Sequence, residues 1–202
     1  MLLSKIDWEL LDELSYRTQL NKSLKNTLRK FDVDVLFNEI NTVIQHYIEK
    51  DKQIVYTHRI KAIQSCSLKY QKYYPNTQVE KAFNDILGIR LTVENYDFLS
   101  ALEIPSCVKI VDMQNGKAKD DGYRAVHLYY QRDHFHYPIE IQLATEGDQL
   151  FNEWMHTYFY KYVDNYFVGL FLRRLYEQHI INTEEDFRKE MNKYVLFDCK
   201  KI

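Results

Sequence analysis

Between residues 86 and 145 the hydrophobic pattern of this chain changes period, and that change limits the folds open to it. Four short apolar runs stand there, "ILGIRLTV" (86–93), "CVKIVDM" (107–113), "YRAVHLYY" (123–130) and "PIEIQLAT" (138–145), each of strand length. On either side the spacing is helical. Before the runs it links Trp8, Leu11, Leu14 and Leu20, then Val35, Ile40, Val43, Ile44 and Tyr47; after them it returns from Glu146 to the end. The pattern predicts two or three helices over 7–74, a small mixed sheet with one helix near "YDFLSAL", and a helical last third in which Thr183 caps a turn opening on Glu184, Glu185 and Asp186. The expected fold class is α+β, with the sheet flanked by helices.

With 202 residues and no repeat or Pro/Gly-rich linker, one domain over 1–202 is expected, its motif-bearing core at about 57–161 and helical extensions at 1–56 and 162–202. No apolar run is long enough to span a bilayer and the first residues lack a signal-peptide pattern, so a cytoplasmic protein is expected. Three cysteines, Cys66, Cys107 and Cys199, are too few and too widely spaced for a disulfide framework or a metal clip, and read as reduced, buried thiols. The net charge of -2 gives no global attraction for nucleic acid, so a polyanion needs a local basic patch.

Several constellations carry chemistry. In "HRIKAIQSCSLKYQKYY", Lys61, Ser65 and Lys69 follow a four-residue spacing, which on one helix stacks two ammonium groups around a hydroxyl; a solvated basic face gives the same pattern. Asp85 stands before an apolar strand and Arg90 within it. A carboxylate at such an edge suits Mg²⁺, while the guanidinium can pair with a core acid, stack on a base or reach phosphate. Strand alternation puts Tyr123, Ala125, His127 and Tyr129 on one face, and sets Glu140 and Gln142 against Ile139, Ile141 and Leu143. A half-exposed sheet with no site alternates in the same way. His134 and His136 lack a third metal ligand and read as exposed residues of a hairpin connection. Lys22, Lys25 and Arg29, with Lys30 adjacent, fall on one side of an expected helix and form the best local basic patch.

In chain order, R-x-K-x-x-x-S-x-x-x-K (Arg59, Lys61, Ser65, Lys69), D-x-x-G-x-R (Asp85, Gly88, Arg90), K-x-x-G-Y-R-x-x-H (Lys119, Gly122, Tyr123, Arg124, His127) and E-I-Q (Glu140, Ile141, Gln142) resemble the RelA/SpoT synthetase domain. The resemblance implies transfer of the β,γ-pyrophosphate of ATP to a ribose 3′-hydroxyl, with release of AMP. By its motifs, Arg59 and Arg90 sandwich adenine, and Lys61, Ser65 and Lys69 hold the ATP phosphates. Asp85 and Glu140 carry Mg²⁺, with Glu140 also activating the acceptor hydroxyl. Tyr123 stacks on the acceptor base, and Lys119, His127 and Gln142 line the acceptor side. Such a transfer needs charge neutralisation and in-line positioning more than covalent chemistry.

After "EIQ" the chain departs from the family. Ala144 stands where an arginine is usual, Phe151 replaces a tryptophan, and Met155 replaces the acid before His156. These departures, and the resemblance of the "LFNEWMHTYFYK" ending to the toxic small alarmone synthetases, favour the 3′-CCA adenosine of tRNA as acceptor. Lys22, Lys25, Arg29 and Lys30 would then meet the tRNA backbone, and an antitoxin protein would neutralise the enzyme. The alternative is a small alarmone synthetase using GDP or GTP, or adenine nucleotides, consistent with the chain's length and its lack of a hydrolase portion or regulatory tail. A catalytically dead binding protein is disfavoured, since the ATP and metal positions are all present. A homo-oligomer stays open.

Overall fold

The structure, a computed structural model, describes residues 6–101, 104–163 and 165–198. They divide into two compact units, one of Met1–Leu91, Asp97–Val111 and His127–Leu143, the other of Thr92–Tyr96, Asp112–Val126 and Ala144–Ile202. The sheet has five strands, β1 (Thr57–Ile60), β2 (Leu87–Val93), β3 (Val108–Asp112), β4 (Val126–Tyr130) and β5 (Ile139–Thr145), in the order β1-β2-β5-β4-β3. It is a mixed sheet flanked by helices, as the change of period predicts.

β1 is a strand that the hydrophobic pattern does not reveal. Its four residues, "THRI", hold one aliphatic side chain, too little for alternation to register. It forms an edge, paired antiparallel with β2 from Thr57 opposite Arg90 to Ile60 opposite Leu87. β5 lies in the middle of the sheet and is buried along most of its length, Glu140 included. A carboxylate at such a position must find hydrogen-bond partners.

In the first unit, α1 (Trp8–Leu14) is capped by Asp7 and α2 (Val33–Glu49) by Asp32, whose carboxylate accepts from the Asp34 and Val35 amides. α2 buries Leu36, Ile40, Val43, Ile44 and Tyr47, the predicted helical stripe. α3 (Ile63–Tyr73) buries Cys66, and the short α4 (Val79–Ala82) follows. The expected helix near "YDFLSAL" is a 3-10 helix, Asp97–Ala101; Leu102 lies outside the described residues.

The second unit holds α5 (Glu146–Trp154), a π-helical turn over Met155–Phe159, α6 (Tyr166–Glu177) and α7 (Glu184–Asp198). The Thr183 hydroxyl accepts from the Asp186 amide at 3.2 Å, the predicted cap. Phe151, Trp154, Met155, Phe159, Leu172 and Phe187 form the core here. Arg173 of α6 is buried with them, bonded to Asp148 at 2.5 Å and to Glu177 at 2.7 Å. The other Asp148 oxygen accepts from the Tyr96 and Thr145 hydroxyls, each at 2.7 Å.

"DGYRAVHLYY" is a strand only from Val126. Upstream, the Asp120 and Asp121 carboxylates accept from the Gly122 and Tyr123 amides, and Gly122 takes φ +87°, so the chain turns instead of extending. A Cβ on Gly122 would stand 2.7 Å from the Gly169 carbonyl oxygen, and one on Gly169 would fall on the carbonyl of Asp121. Two backbones thus meet where only glycines fit.

Cys66 is buried, Cys107 half-buried, and both are free thiols; Cys199 lies outside the described residues. No helix among the described residues is long and apolar enough to cross a membrane.

Candidate active site

The turn from β1 into α3 brings the first unit's charges together. The Lys61 amide donates to the Ile86 carbonyl at 2.8 Å, continuing the β1–β2 pairing by one residue and setting Lys61 beside the segment that carries Asp85. The Lys61 ammonium bonds Asp85 Oδ2, and Lys69 Nζ, from α3, bonds Oδ1 at 2.9 Å. Arg59 reaches Oδ2 at 3.8 Å. Burial pushes the Asp85 carboxyl up, but Lys69 and Lys61 outweigh it and hold the group below its ordinary range. Burial also lowers the Lys61 ammonium against the pull of Asp85, with Lys69 and Arg59 adding to the lowering. One carboxylate therefore faces three cations.

The expected stripe of Lys61, Ser65 and Lys69 on one helix is corrected in one respect. Lys61 precedes α3, whose first residue is Ile63, and its side chain is buried instead of lying on a helix face. Ser65 sits exposed in the first turn of α3, and Arg90 is exposed on β2. Cys66 lies close enough to feel Lys61, Asp85 and Lys69, yet burial pushes its thiol up to about 11, which keeps it protonated and inert.

Glu140 is held by three neighbours. Its Oε1 accepts from the Tyr129 hydroxyl at 3.1 Å and lies 3.1 Å from His127 Nδ1, while Oε2 accepts from Gln142 Nε2 at 2.7 Å. Burial and the like charge of Asp85 raise the Glu140 carboxyl, but His127 and Gln142 hold it below the ordinary carboxylate range. β4 supplies His127 and Tyr129 because alternation puts both on one face, and β5 presents Glu140 beside them. Tyr129 is the partner that motif reading leaves out; its place on the His127 face is the signal for it. Gly88 is not demanded by space, since an added Cβ would meet Glu140 Oε2 at 3.5 Å, ordinary contact.

Among the described residues no group of three or more His, Cys, Asp or Glu side chains could hold a metal by itself. Asp85 and Glu140 are still a hard-oxygen pair, both ionised and close enough to repel, and a divalent cation that shares its shell with nucleotide phosphates and water fits such a donor set.

The second unit carries the remaining motif residues. Tyr123 is nearly buried, with Lys117 Nζ 4.6 Å from its ring centroid and the edge of His156 at 6.4 Å between centroids. Lys119 is exposed. Arg124 is committed to the loop: its guanidinium forks onto Asp120 at 2.7 and 2.9 Å, and Asn152 bonds its backbone. Ala144 packs with Tyr123 and Ala125, while Phe151 and Met155 are wholly buried in the core. The departures from the family pattern are thus absorbed as apolar packing.

Two further expectations are corrected. Residues 21–27 form turns and Leu28–Lys30 a 3-10 helix, so Lys22, Lys25, Arg29 and Lys30 share no helical side. Asn21 at φ 53° and the Ser23 hydroxyl, which accepts from the Lys25 amide, divert the chain, and Lys22 Nζ bonds the Lys30 carbonyl. His136 is buried on Asp133 at 2.8 Å instead of exposed, whereas His134 is exposed as expected.

Residues 58–165, just over half of the chain, match the family described as a region found in RelA / SpoT proteins. No curated protein matches. Among solved structures the chain is similar to small alarmone synthetase 1 from Bacillus subtilis, at 20% identity over 84% of this chain and 98% of that one, with a TM-score of 0.45. The same synthetase bound to its product pppGpp gives 22% identity, 80% and 90% coverage and a TM-score of 0.44. A GTP pyrophosphokinase family protein from Streptococcus pneumoniae gives 19%, 81% and 93%, and 0.47.

Proposed function

Since the chain belongs to the RelA/SpoT family, we propose that it is an ATP-dependent pyrophosphokinase that transfers the β,γ-pyrophosphate of ATP to the 3′-hydroxyl of a guanine nucleotide. The observation that carries this reading is the convergence of Arg59, Lys61 and Lys69 on Asp85, with Glu140 independently held ionised. An excess of fixed cations is what a polyphosphate chain requires. Asp85 keeps them assembled beforehand, so little reorganisation is left for the moment of reaction.

In the proposed step the acceptor 3′-oxygen bonds to the β-phosphorus and the bond from that phosphorus to the α,β-bridging oxygen breaks. AMP leaves with the bridging oxygen, and the hydroxyl proton passes to Glu140. Tyr129, His127 and Gln142 orient the Glu140 oxygens and keep the carboxylate ionised for this role. Asp85 and Glu140 would hold Mg²⁺, which would supply further neutralisation of phosphate charge. By the family motif, Arg59 and Arg90 are assigned to adenine, Ser65 to the ATP phosphates, and Tyr123 with Lys119 to the acceptor.

A second acceptor, the 3′-terminal adenosine of tRNA, is favoured by one observation: Ala144 leaves an apolar wall beside Tyr123 where the family carries an arginine. The patch of Lys22, Lys25, Arg29 and Lys30 adds less to that reading, because its members do not form a helix face. An antitoxin partner belongs to this second reading alone.

ATP labelled on its γ-phosphate, offered separately with GDP, GTP and deacylated tRNA, separates the two. Label on a free guanine nucleotide is the expected result. Label confined to tRNA with an intact terminal adenosine would replace the first acceptor with the second, and no transfer to any of the three would remove the reading. Glu140→Gln should abolish the signal with the melting temperature kept.

A further inference from the structure

The loop that carries Tyr123 in the second unit must find a partner for each of its peptide groups, since it is buried from Gly122 onward. The Asp120 and Asp121 carboxylates accept from the Gly122 and Tyr123 amides at 2.9 and 3.1 Å, and Arg124 Nη1 donates to the Tyr123 carbonyl at 3.0 Å. The Ala125 carbonyl accepts from the Met113 amide at 3.0 Å. Between them stands Arg124, whose N–H and C=O both turn to one side chain. Asn152 Oδ1 accepts from the Arg124 amide at 3.3 Å, and Asn152 Nδ2 donates to the Arg124 carbonyl at 2.8 Å.

A carboxamide suits this place because it sets one donor beside one acceptor, the pair that an antiparallel strand neighbour would exchange with Arg124. A carboxylate of the same shape offers acceptors alone. The loop's partners also differ in what they are fixed to. Asp120, Asp121 and the Arg124 guanidinium belong to the loop and move with it. Asn152 belongs to α5, whose Phe151 and Trp154 are packed in the core of this unit. Asn152 is itself buried, so either bond, once broken, leaves a peptide group of Arg124 desolvated and unpaired.

We infer that Asn152 is a positioning residue for acceptor binding. By clasping the backbone of Arg124 it fixes the direction in which the adjacent Tyr123 leaves the main chain, and so sets the ring before an acceptor arrives. The loop is then ordered in the free protein, and acceptor binding need not offset the entropy of ordering it. The role in acceptor binding rests on the reading given above, in which Tyr123 meets the acceptor; the clasp itself does not.

Two variants of the full chain test it. Asn152→Ala removes both bonds, while Asn152→Asp, of the same shape, keeps the bond to the Arg124 amide and sets an oxygen against the Arg124 carbonyl. With γ-labelled ATP and GDP as acceptor, or deacylated tRNA if the label goes there, each should raise KM for the acceptor about tenfold, with KM for ATP and kcat changed less than about twofold. A residue that only holds the fold together would lower the melting temperature and leave the acceptor KM of the folded fraction unmoved, and that result overturns the proposal. Hydrogen exchange followed by NMR reads the clasp without turnover and, in the unaltered chain, without depending on a variant that folds. There the Arg124 amide should exchange at least about tenfold more slowly than that of exposed Lys119 in the same loop, a difference that Asn152→Asp narrows. Equal exchange at Arg124 and Lys119 in the unaltered chain also overturns the proposal. Absence of transfer by the unaltered chain, with slow Arg124 exchange, would remove the pyrophosphokinase reading and the acceptor role with it but keep the clasp, so the two failures are told apart.

Discussion

Each unit of this protein buries an ion cluster, and the two differ in stoichiometry. In the first, Asp85 faces Arg59, Lys61 and Lys69, three cations for one anion. In the second, Arg173 faces Asp148 and Glu177, and the Asp148 oxygen that Arg173 leaves over is taken by the hydroxyls of Tyr96 and Thr145. The second cluster is closed on its acid side: its carboxylates have their donors, and burial of the guanidinium is offset by two acids that raise it above its ordinary value, although Arg173 Nη1 is left without a hydrogen-bond partner. The first is open: the three cations outnumber Asp85, and even with the nearby Glu140 counted a surplus of positive charge remains. Burial alone would mark both as functional candidates. Counting opposite charges separates a cluster balanced within the fold from the one proposed to receive a substrate.

The sharpest way to break the comparison is to neutralise the central acid in each. Asp85→Asn should lower pyrophosphate transfer on the order of 10³-fold in a protein that remains folded. Asp148→Asn, by leaving Arg173 short of a buried partner, should cost about 3 kcal/mol in denaturant unfolding, with transfer by the folded fraction largely retained. If Asp148→Asn struck transfer as hard as Asp85→Asn, the distinction between open and closed clusters would be lost.

A smaller effect concerns Glu140. Its pKa is pushed up by burial and pulled below the ordinary value chiefly by His127. Loss of that hydrogen bond in His127→Ala should raise the carboxyl, so the acid limb of the pH–rate profile should move to higher pH while the plateau falls less than in Glu140→Gln. A limb that stays in place would mean that Glu140 is not the titrating base. The smallest effect belongs to Lys117, whose ammonium lies over the Tyr123 ring and pairs with Asp121 at 3.0 Å. Lys117→Gln removes a competitor worth about 0.5–1 kcal/mol at such a site and should lower KM for the acceptor roughly two- to fivefold, with KM for ATP unmoved.

What the sequence discloses about these clusters depends on how far each contact reaches. Strand alternation finds His127 and Glu140 because neighbours on a pleat are fixed by period alone. It finds Tyr129 on the same face without revealing that its hydroxyl meets Glu140, since that contact crosses from one strand to the next. Lys61 is misplaced on a helix because its i, i+4 spacing to Ser65 is real, yet the β1–β2 ladder extends through Lys61 and claims it. β1 escapes notice for want of apolar residues. "DGYRAV" reads as a strand until Asp120 and Asp121 capture the next amides. The closed cluster at Arg173 joins residues far apart in sequence, and no local pattern announces it.

The paired glycines carry a consequence for anyone who trims or varies this chain. Gly122 belongs to the segment matched to the family, whereas Gly169 falls beyond its end at residue 165. A Cβ on Gly122 collides with the Gly169 carbonyl oxygen and one on Gly169 with the carbonyl of Asp121, the residue before Gly122, so the two behave as a single locus under substitution: neither tolerates even alanine without displacing the backbone opposite. A fragment ending where the recognisable sequence ends would keep the loop of Gly122 and Tyr123 and discard the helix that limits where that loop can go. The packing that fixes the Gly122 loop therefore reaches at least to Gly169 of α6, a boundary invisible to motif matching.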